Sequence, residues 1–416
     1  MSATIPMHRT LRVYWLTEAF YPPVVGGQEL FVAQLAHGLA ARGIEVSVIT
    51  RLPQADTPPM ELIGAVNVRR IPPVGILKGK GWRALVPLLK YLTRLLSLLF
   101  VERRKFDVLI VSGVKVMPLI VVPLCFIVRR ACILRVESFF ELQEPVSAES
   151  LRDMQGLLGR MLATVVDRMR MFLLRRAGCV IAISAQIETA LLRRGVSADR
   201  IRRIPNAVDL EKFKPVSTQD KDDLRRALSF PVGRTLVIYF GRFSRAKGLP
   251  MLVEAWPELI ARHPDLYLLM VGSGKLSFDD CENYLKQFVR TNGLEECVRF
   301  CGESDRVYQF LQAADLFIFP TEYEGFSLAL VEALGSGIPS AVTSVGAAPD
   351  LIRHGENGFL FPPKDKQALL DVIDSALEQR DRWPQIGRAA RESVRGFNLA
   401  AVVDSYHELC VELTSE

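Results

Sequence analysis

The sequence holds no C-x-x-C pair, no histidine cluster and no apolar leader. Its seven cysteines, at 125, 132, 179, 281, 297, 301 and 410, are scattered without metal-ligand spacing. A zinc site or a dithiol redox centre is therefore not expected, and the thiols read as reduced groups of a cytoplasmic protein. The five histidines are equally dispersed. The opening MSATIPMHRT lacks the apolar run of a signal peptide. Low-complexity tracts and internal repeats are missing as well. Neither G-x-G-x-x-G nor G-x-x-x-x-G-K-[ST] occurs, which removes the usual dinucleotide and P-loop fingerprints.

What is present is a chain of 416 residues, too long for one core, and hence two large domains. Charge is divided unevenly. Residues 1–210 carry 29 Lys and Arg against 16 Asp and Glu, a net +13, whereas the rest carries −7. A basic first half suits an anionic partner. Short apolar runs alternate with helical patterns throughout, which predicts parallel sheets of the α/β class. The strands are expected at 11–16, 45–50, 107–113, 131–138, 179–184 and 201–206, with a first helix over about 28–42. A second series follows at 235–242, 266–274, 298–303, 316–321 and 340–346. The polar NAVDLEKFKPVSTQDKDD marks the crossing between them. The predicted domains are 1–206, completed by a returning C-terminal helix over 396–416, and 207–395. Each strand run ends in small or polar residues, and ligands of such sheets bind beyond those carboxyl ends.

Two segments invite a membrane reading. From Trp82 to Lys105, Arg83, Lys90, Arg94 and Ser97 share one helical face, with Leu85, Leu89, Leu92, Leu95, Leu96 and Leu99 opposite. Between Lys78 and Lys105 the only acid is Glu102. Such a basic amphipathic helix can lie on anionic lipid. Val108 to Val128 approaches spanning length, but Lys115, Pro118 and Pro123 interrupt it, so a strand, a turn and a helix are expected there. The basic residues lack interleaved aromatics, so nucleic acid is not an expected partner.

Three loops carry the chemistry. YPPVVGGQEL follows the first strand and opens a helix. Its adjacent Gly26 and Gly27 allow close backbone approach, and unpaired amides at a helix start favour phosphate. GRFSRAKGLPML places Arg242 at a strand tip and Lys247 five residues later, two cations able to neutralise a diphosphate. EYEGFSLALVEALGSGIP sets Glu324 in a loop and Glu332 inside the following helix, which Ser327 caps. The amides of Gly325, Phe326, Ser327 and Leu328 gather where that helix begins. Carboxylates accept from sugar hydroxyls and amides hold phosphate oxygens, so the set suits a nucleotide-sugar.

Taken together, these motifs resemble the family 4 glycosyltransferases of the GT-B fold, two Rossmann-like domains facing a cleft. YPPVVGGQE, AISAQI, IPNAVDLEKFKP, YFGRFSRAKGL, MVGSG, FPTEYEGFSLALVEALGSGIP and GENGFLFPP carry the likeness in order along nearly the whole chain. The resemblance implies a retaining hexosyltransferase that moves a sugar from a nucleotide-sugar to a lipid-linked, polysaccharide or small-molecule acceptor, with no cofactor and no metal. The first domain would meet the acceptor and the second the donor. In the E-x(7)-E pair, Glu324 would contact the transferred sugar and Glu332 the ribose. Arg242 and Lys247 would hold the diphosphate, helped by backbone at Gly26 or Gly27 and by the amides of Ser327 and Leu328. The base would lie near Gly272 and the strand end from Cys301 to Glu303. The protein would work in the cytoplasm, peripherally on the inner face of the plasma membrane.

The chain departs from the family pattern at several points. Where many members carry a histidine after the fifth strand, it reads RVESFFEL, and Glu137 becomes the candidate there. Ala207 stands in the hinge in place of Gly, and Ala347 and Ala348 replace a Gly pair. The missing histidine leaves two alternatives, a catalytically impaired sugar-nucleotide-binding subunit and a sugar-nucleotide isomerase on the same scaffold. The D-x-D at Asp220 to Asp222 lies in a polar linker and is not expected to bind metal.

Overall fold

The computed structural model describes residues 10–20, 27–54, 56–74, 82–143, 157–275, 277 and 279–415. Gly26, Lys78 and the side chains of Arg83 and Leu85 fall outside that description. Two compact units are present, Met1–Pro205 with Ala400–Glu416, and Asn206–Leu399.

In the first unit the strands are β1 (Arg12–Leu16), β2 (Glu45–Leu52), β3 (Met60–Ile63), β4 (Val66–Val74), β5 (Val108–Ser112), β6 (Ala131–Val136), β7 (Cys179–Ala182) and β8 (Ile201–Arg203). They form one sheet in the order β3-β4-β2-β1-β5-β6-β7-β8. All neighbours are parallel except β3 and β4, which form a hairpin across Gly64, at φ +59. The expected strands all appear, shorter at their ends except β2, which runs on to Leu52, but β3 and β4 were not expected. β4 contains Pro72 and Pro73, residues that ordinarily argue against a strand, and the sheet accommodates them at a register shift against β2.

The helices of this unit before its C-terminal one are α1 (Gly27–Ala41), α2 (Trp82–Val101), α3 (Pro118–Val128), α4 (Phe140–Gln143), α5 (Leu157–Leu174) and α6 (Ala185–Arg193). The segment from 108 to 128 divides into β5, a turn and α3. Right-handed crossovers put α1 on one face of the sheet and α2, α3 and α5 on the other. There α2 packs on α3, and α3 on α5. The apolar face expected along α2 is divided. Tyr91, Leu95 and Leu99 are buried, whereas Leu89 and Leu96 face outward.

The C-terminal helix Leu399–Ser415 closes the α1 side. Gly38 of α1 makes room for it, since a Cβ at 38 would stand 2.4 Å from Val403 Cγ2. Tyr406 stacks on Trp15 of β1 with ring centroids 5.6 Å apart, and both rings are fully buried. Arg42 pairs with Asp404, and Arg202 with Glu412 at 2.7 Å.

The second unit holds β9 (Thr235–Phe240), β10 (Leu266–Val271), β11 (Val298–Gly302), β12 (Leu316–Phe319), β13 (Ser340–Thr343) and β14 (Phe359–Phe361). Its order is β11-β10-β9-β12-β13-β14, parallel throughout. Strand order therefore reverses between β9 and β12, which opens a crevice at their carboxyl ends. Trp256, Leu252 and Leu259 of the helix Leu249–Arg262 are buried completely. Each such side chain stabilises the fold by about 1.5–3 kcal/mol. β14, a three-residue strand beside Pro362, was not expected from its length.

Truncation of the stacked ring tests the docking of the last helix. Tyr406→Ala should cost about 3–5 kcal/mol in chemical denaturation, as large-to-small changes in buried aromatics do. A loss below about 1 kcal/mol would show the helix to be weakly held.

Candidate functional site

Glycine governs the crest of the second sheet. β9 ends in Gly241 at φ +142, and β10 ends in Gly272 at φ +137. A Cβ on Gly272 would lie 1.9 Å from the Gly241 carbonyl oxygen, so the two strand tips touch only because residue 272 lacks a side chain. Arg242 emerges between them. The Tyr239 hydroxyl donates to its carbonyl at 2.9 Å, and Phe243 N–H donates to Ser273 O at 2.8 Å. The Arg242 guanidinium is exposed and makes no hydrogen bond or ion pair among the described residues.

The chain then takes one tight turn, Arg245–Lys247, ending in the left-handed Gly248 at φ +68. A Cβ at 248 would stand 2.0 Å from Pro320 O. Ala246 O accepts the Glu322 N–H at 2.9 Å, while Ala246 N–H donates to Asp279 Oδ2 at 2.8 Å. The loop after β9 is thus fastened to the tip of β12. This fastening brings Lys247 Nζ to 2.7 Å from Glu324 Oε2, with Lys247 also 5.4 Å from the Phe319 ring centroid. Two residues 77 apart in sequence form one charge pair at the strand-order reversal.

The loop carrying Glu324 is held from beneath by Gly346, where a Cβ would meet Glu324 O at 2.6 Å. Ser327 caps the helix Leu328–Gly335, its hydroxyl accepting from Leu330 N–H at 3.1 Å. Gly325 N–H turns back to Glu324 Oε1 at 3.2 Å, so this amide, expected to face a ligand, is already engaged. The amides of Phe326, Ser327 and Leu328 donate to none of the described residues. Glu332 lies in the second turn. Burial raises its carboxyl to about 8, opposed only by the charge of Lys212. Beside Gly272, the Ser273 hydroxyl donates to Glu303, which is exposed at the end of β11. Gly272, Glu303, Arg242, Lys247, Glu324 and the helix start therefore belong to strand ends of one sheet.

In the first unit, Gly27 is the first residue of α1. Glu137 stands just beyond β6 and pairs with Arg135, whose buried guanidinium also lies 4.6 Å from the Phe31 ring centroid. Glu141 escaped the sequence reading, since nothing in FFEL marks a buried acid. Its Oε2 accepts the amide of Val114, beyond β5, at 2.9 Å and that of Glu137 at 3.5 Å. Its carbonyl accepts from Arg170 at 2.6 Å. Burial first, and then the neighbouring Glu137, raise it to about 7. Asp220 contributes to the cap of the helix Thr218–Ala227, where its amide donates to Ser217 at 3.1 Å. Among the described residues no group of His, Cys, Asp or Glu is arranged to hold a metal.

Two α/β units with such a crest define a glycosyltransferase of the GT-B kind. A model described as "Glycosyl transferase 4-like domain" matches residues 26–207, and one described as "Glycosyl transferases group 1" matches 220–393. The matches account for both units, and the chain belongs to the family 4 glycosyltransferases. It is 29% identical over 251 residues to the lipopolysaccharide core biosynthesis mannosyltransferase LpsB of Rhizobium meliloti, covering 58% of this chain and 68% of the relative. Sucrose-phosphate synthase of Thermosynechococcus elongatus superposes with a TM-score of 0.77 at 26% identity, covering 97% of this chain and 99% of the other. HepE of Anabaena, solved in complex with UDP, superposes at 0.74 and 22% identity over 97% of this chain and all of its own.

The raised Glu332 carboxyl yields a pH signature. Its folded value of about 8 exceeds the ordinary 4.5, so the native state retains a proton that the unfolded chain releases. Stability of the second unit is greatest at low pH in this respect, declines as pH rises from 4.5 through 8, and then levels off. The stabilising effect of Glu332→Gln relative to the parent should therefore grow between pH 5 and pH ~8.5 in thermal unfolding. A difference that stays constant across this range would remove the assignment.

Proposed function

We propose that the chain is a retaining, nucleotide-sugar-dependent hexosyltransferase that needs no metal ion. The observation carrying this reading is the Lys247–Glu324 pair at the strand-order reversal, flanked by Arg242 and the unused amides of Phe326, Ser327 and Leu328. Cations and amides at that point suit a diphosphate, and the carboxylates suit hydroxyls. Glu324 would take the transferred sugar, Glu332 the ribose, and Gly272 with Glu303 the base. The neighbours support the class of donor and acceptor: HepE was solved with UDP, and LpsB is named as a mannosyltransferase of a lipopolysaccharide core. A lipid-linked, polysaccharide or small-molecule glycan is the proposed acceptor.

In this mechanism the bond between the anomeric carbon and the leaving phosphate oxygen breaks. The acceptor oxygen forms its bond on the same face and gives its proton to the departing diphosphate. Negative charge grows on that diphosphate as the bond lengthens. Arg242, Lys247 and the helix start stabilise it, since preorganised charge gains most where charge develops. Glu324 neutralises Lys247. The arriving diphosphate takes over the lysine, and Glu324 turns to the sugar. Glu137 is the proposed substitute for the histidine of other members. Its ion pair with Arg135 favours a second reading, a subunit that binds sugar nucleotide without turning it over.

Titration of UDP, GDP and ADP, followed by a donor-hydrolysis panel, decides between these readings. Binding without turnover of any donor would favour the subunit, and absence of binding would end both. For an active donor, Lys247→Ala should lower kcat by about 10²–10³. The unfolding free energy should fall by only ~1–3 kcal/mol, the cost of leaving the largely buried Glu324 carboxylate without its partner. Chelation with EDTA should leave turnover unchanged. Wild-type turnover in Lys247→Ala would refute the site.

A further inference from the structure

The layer formed by α2, α3 and α5 is apolar on both faces. Inward, Tyr91, Leu95, Val121, Leu124 and Leu174 pack on the sheet. Outward, a second set of apolar side chains remains exposed. On α2 these are Val86, Leu89, Leu96 and Phe100, spaced by three, seven and four residues along one stripe. On α5 they are Met161, Val165, Met169 and Phe172, again one stripe. Between the two helices, the end of α3 projects Phe126 and Ile127, which are 86% and 71% exposed. Three adjacent helices thus contribute to one outward apolar surface, and monomeric proteins seldom leave such patches uncovered.

Among the described residues the exposed charges on these helices are cations. Lys90, Arg94, Arg104, Arg129, Arg168 and Arg175 are exposed on these helices or their ends. Arg103 lies 4.6 Å from the Phe100 ring centroid and Arg176 lies 4.3 Å from that of Phe172, cations seated on outward aromatic rings. The acids of the same helices turn elsewhere. Glu102 binds Tyr14, Arg69 and Lys105, and Asp167 pairs with Arg170. Aliphatic stems that lie on apolar surface with cationic heads at its border match the boundary between acyl chains and anionic headgroups. A second copy docked through the same face would set these cations against one another. No described helix is long and apolar enough to cross a membrane, so the contact would lie in the interface plane.

We propose that the outer face of α2, α3 and α5 docks on an anionic lipid bilayer, with Phe126 and Ile127 as its deepest point. The surface extends well beyond the single basic helix legible in the sequence, and it does not depend on the transfer chemistry. Sedimentation of the full chain with phosphatidylcholine vesicles, with and without about 30% phosphatidylglycerol, tests it. Recovery should be high only with the anionic vesicles and fall with added salt. Phe126→Asp with Ile127→Asp should weaken the partition on the order of tenfold, and Arg168→Glu with Arg176→Glu should weaken it comparably. Both pairs are exposed, so unchanged thermal unfolding confirms their fold. Recovery from neither vesicle, equal recovery from both, or wild-type partition of both variants would overturn the proposal. So would light scattering that shows a dimer dissociated by Phe126→Asp with Ile127→Asp.

Discussion

The crest of the second unit depends on a contact that only glycine permits. With no side chain at 248, the turn after β9 rests against the Pro320 carbonyl, and Ala246 then exchanges hydrogen bonds with Glu322 and Asp279. Lys247 and Glu324 meet because their backbones are fastened there, rather than because opposite charges found each other across solvent. Here the backbone defines the position, and the charge pair can exchange one partner for a ligand without disturbing it. Gly272 against Gly241 and Gly346 against Glu324 repeat the device on either side.

The strand tips of the first unit are held by different means. Glu141 joins the segments beyond β5 and β6 through two amides, and α5 reaches its carbonyl through Arg170. Arg135 carries the connection inward to Phe31. Burial raises the Tyr406 hydroxyl well above its ordinary range, and the Arg135 charge opposes that rise. The residue proposed to act near the donor, Glu137, is therefore anchored to the interior of its own unit.

Parallel strands that read as continuous apolar runs were legible in the sequence, because strands buried on both faces need no alternation. The β3–β4 hairpin was not, since Pro72 and Pro73 oppose a strand until a register shift against β2 absorbs them. Arg242, Lys247, Glu324 and Glu332 were legible as a motif, and their resemblance to a family supplied roles that spacing alone does not. The motif did not disclose that Gly325 donates to Glu324, or that Lys247 and Glu324 bind one another. Such facts depend on where distant loops meet. Glu141 left no trace, because a lone acid among aromatics reads the same whether buried or exposed. The double-faced character of α2 was also hidden: a leucine-rich stripe does not say which of its members the core will claim.

The last helix has a consequence for biosynthesis. Trp15 and Gly38 are made well before the surfaces that cover them, Tyr406 and Val403. The whole of Asn206–Leu399 must emerge from the ribosome between them. At roughly 5–20 residues per second that interval lasts on the order of 10–40 s. Throughout it, the nascent first sheet has one apolar flank uncovered, and a holding chaperone has its natural window there.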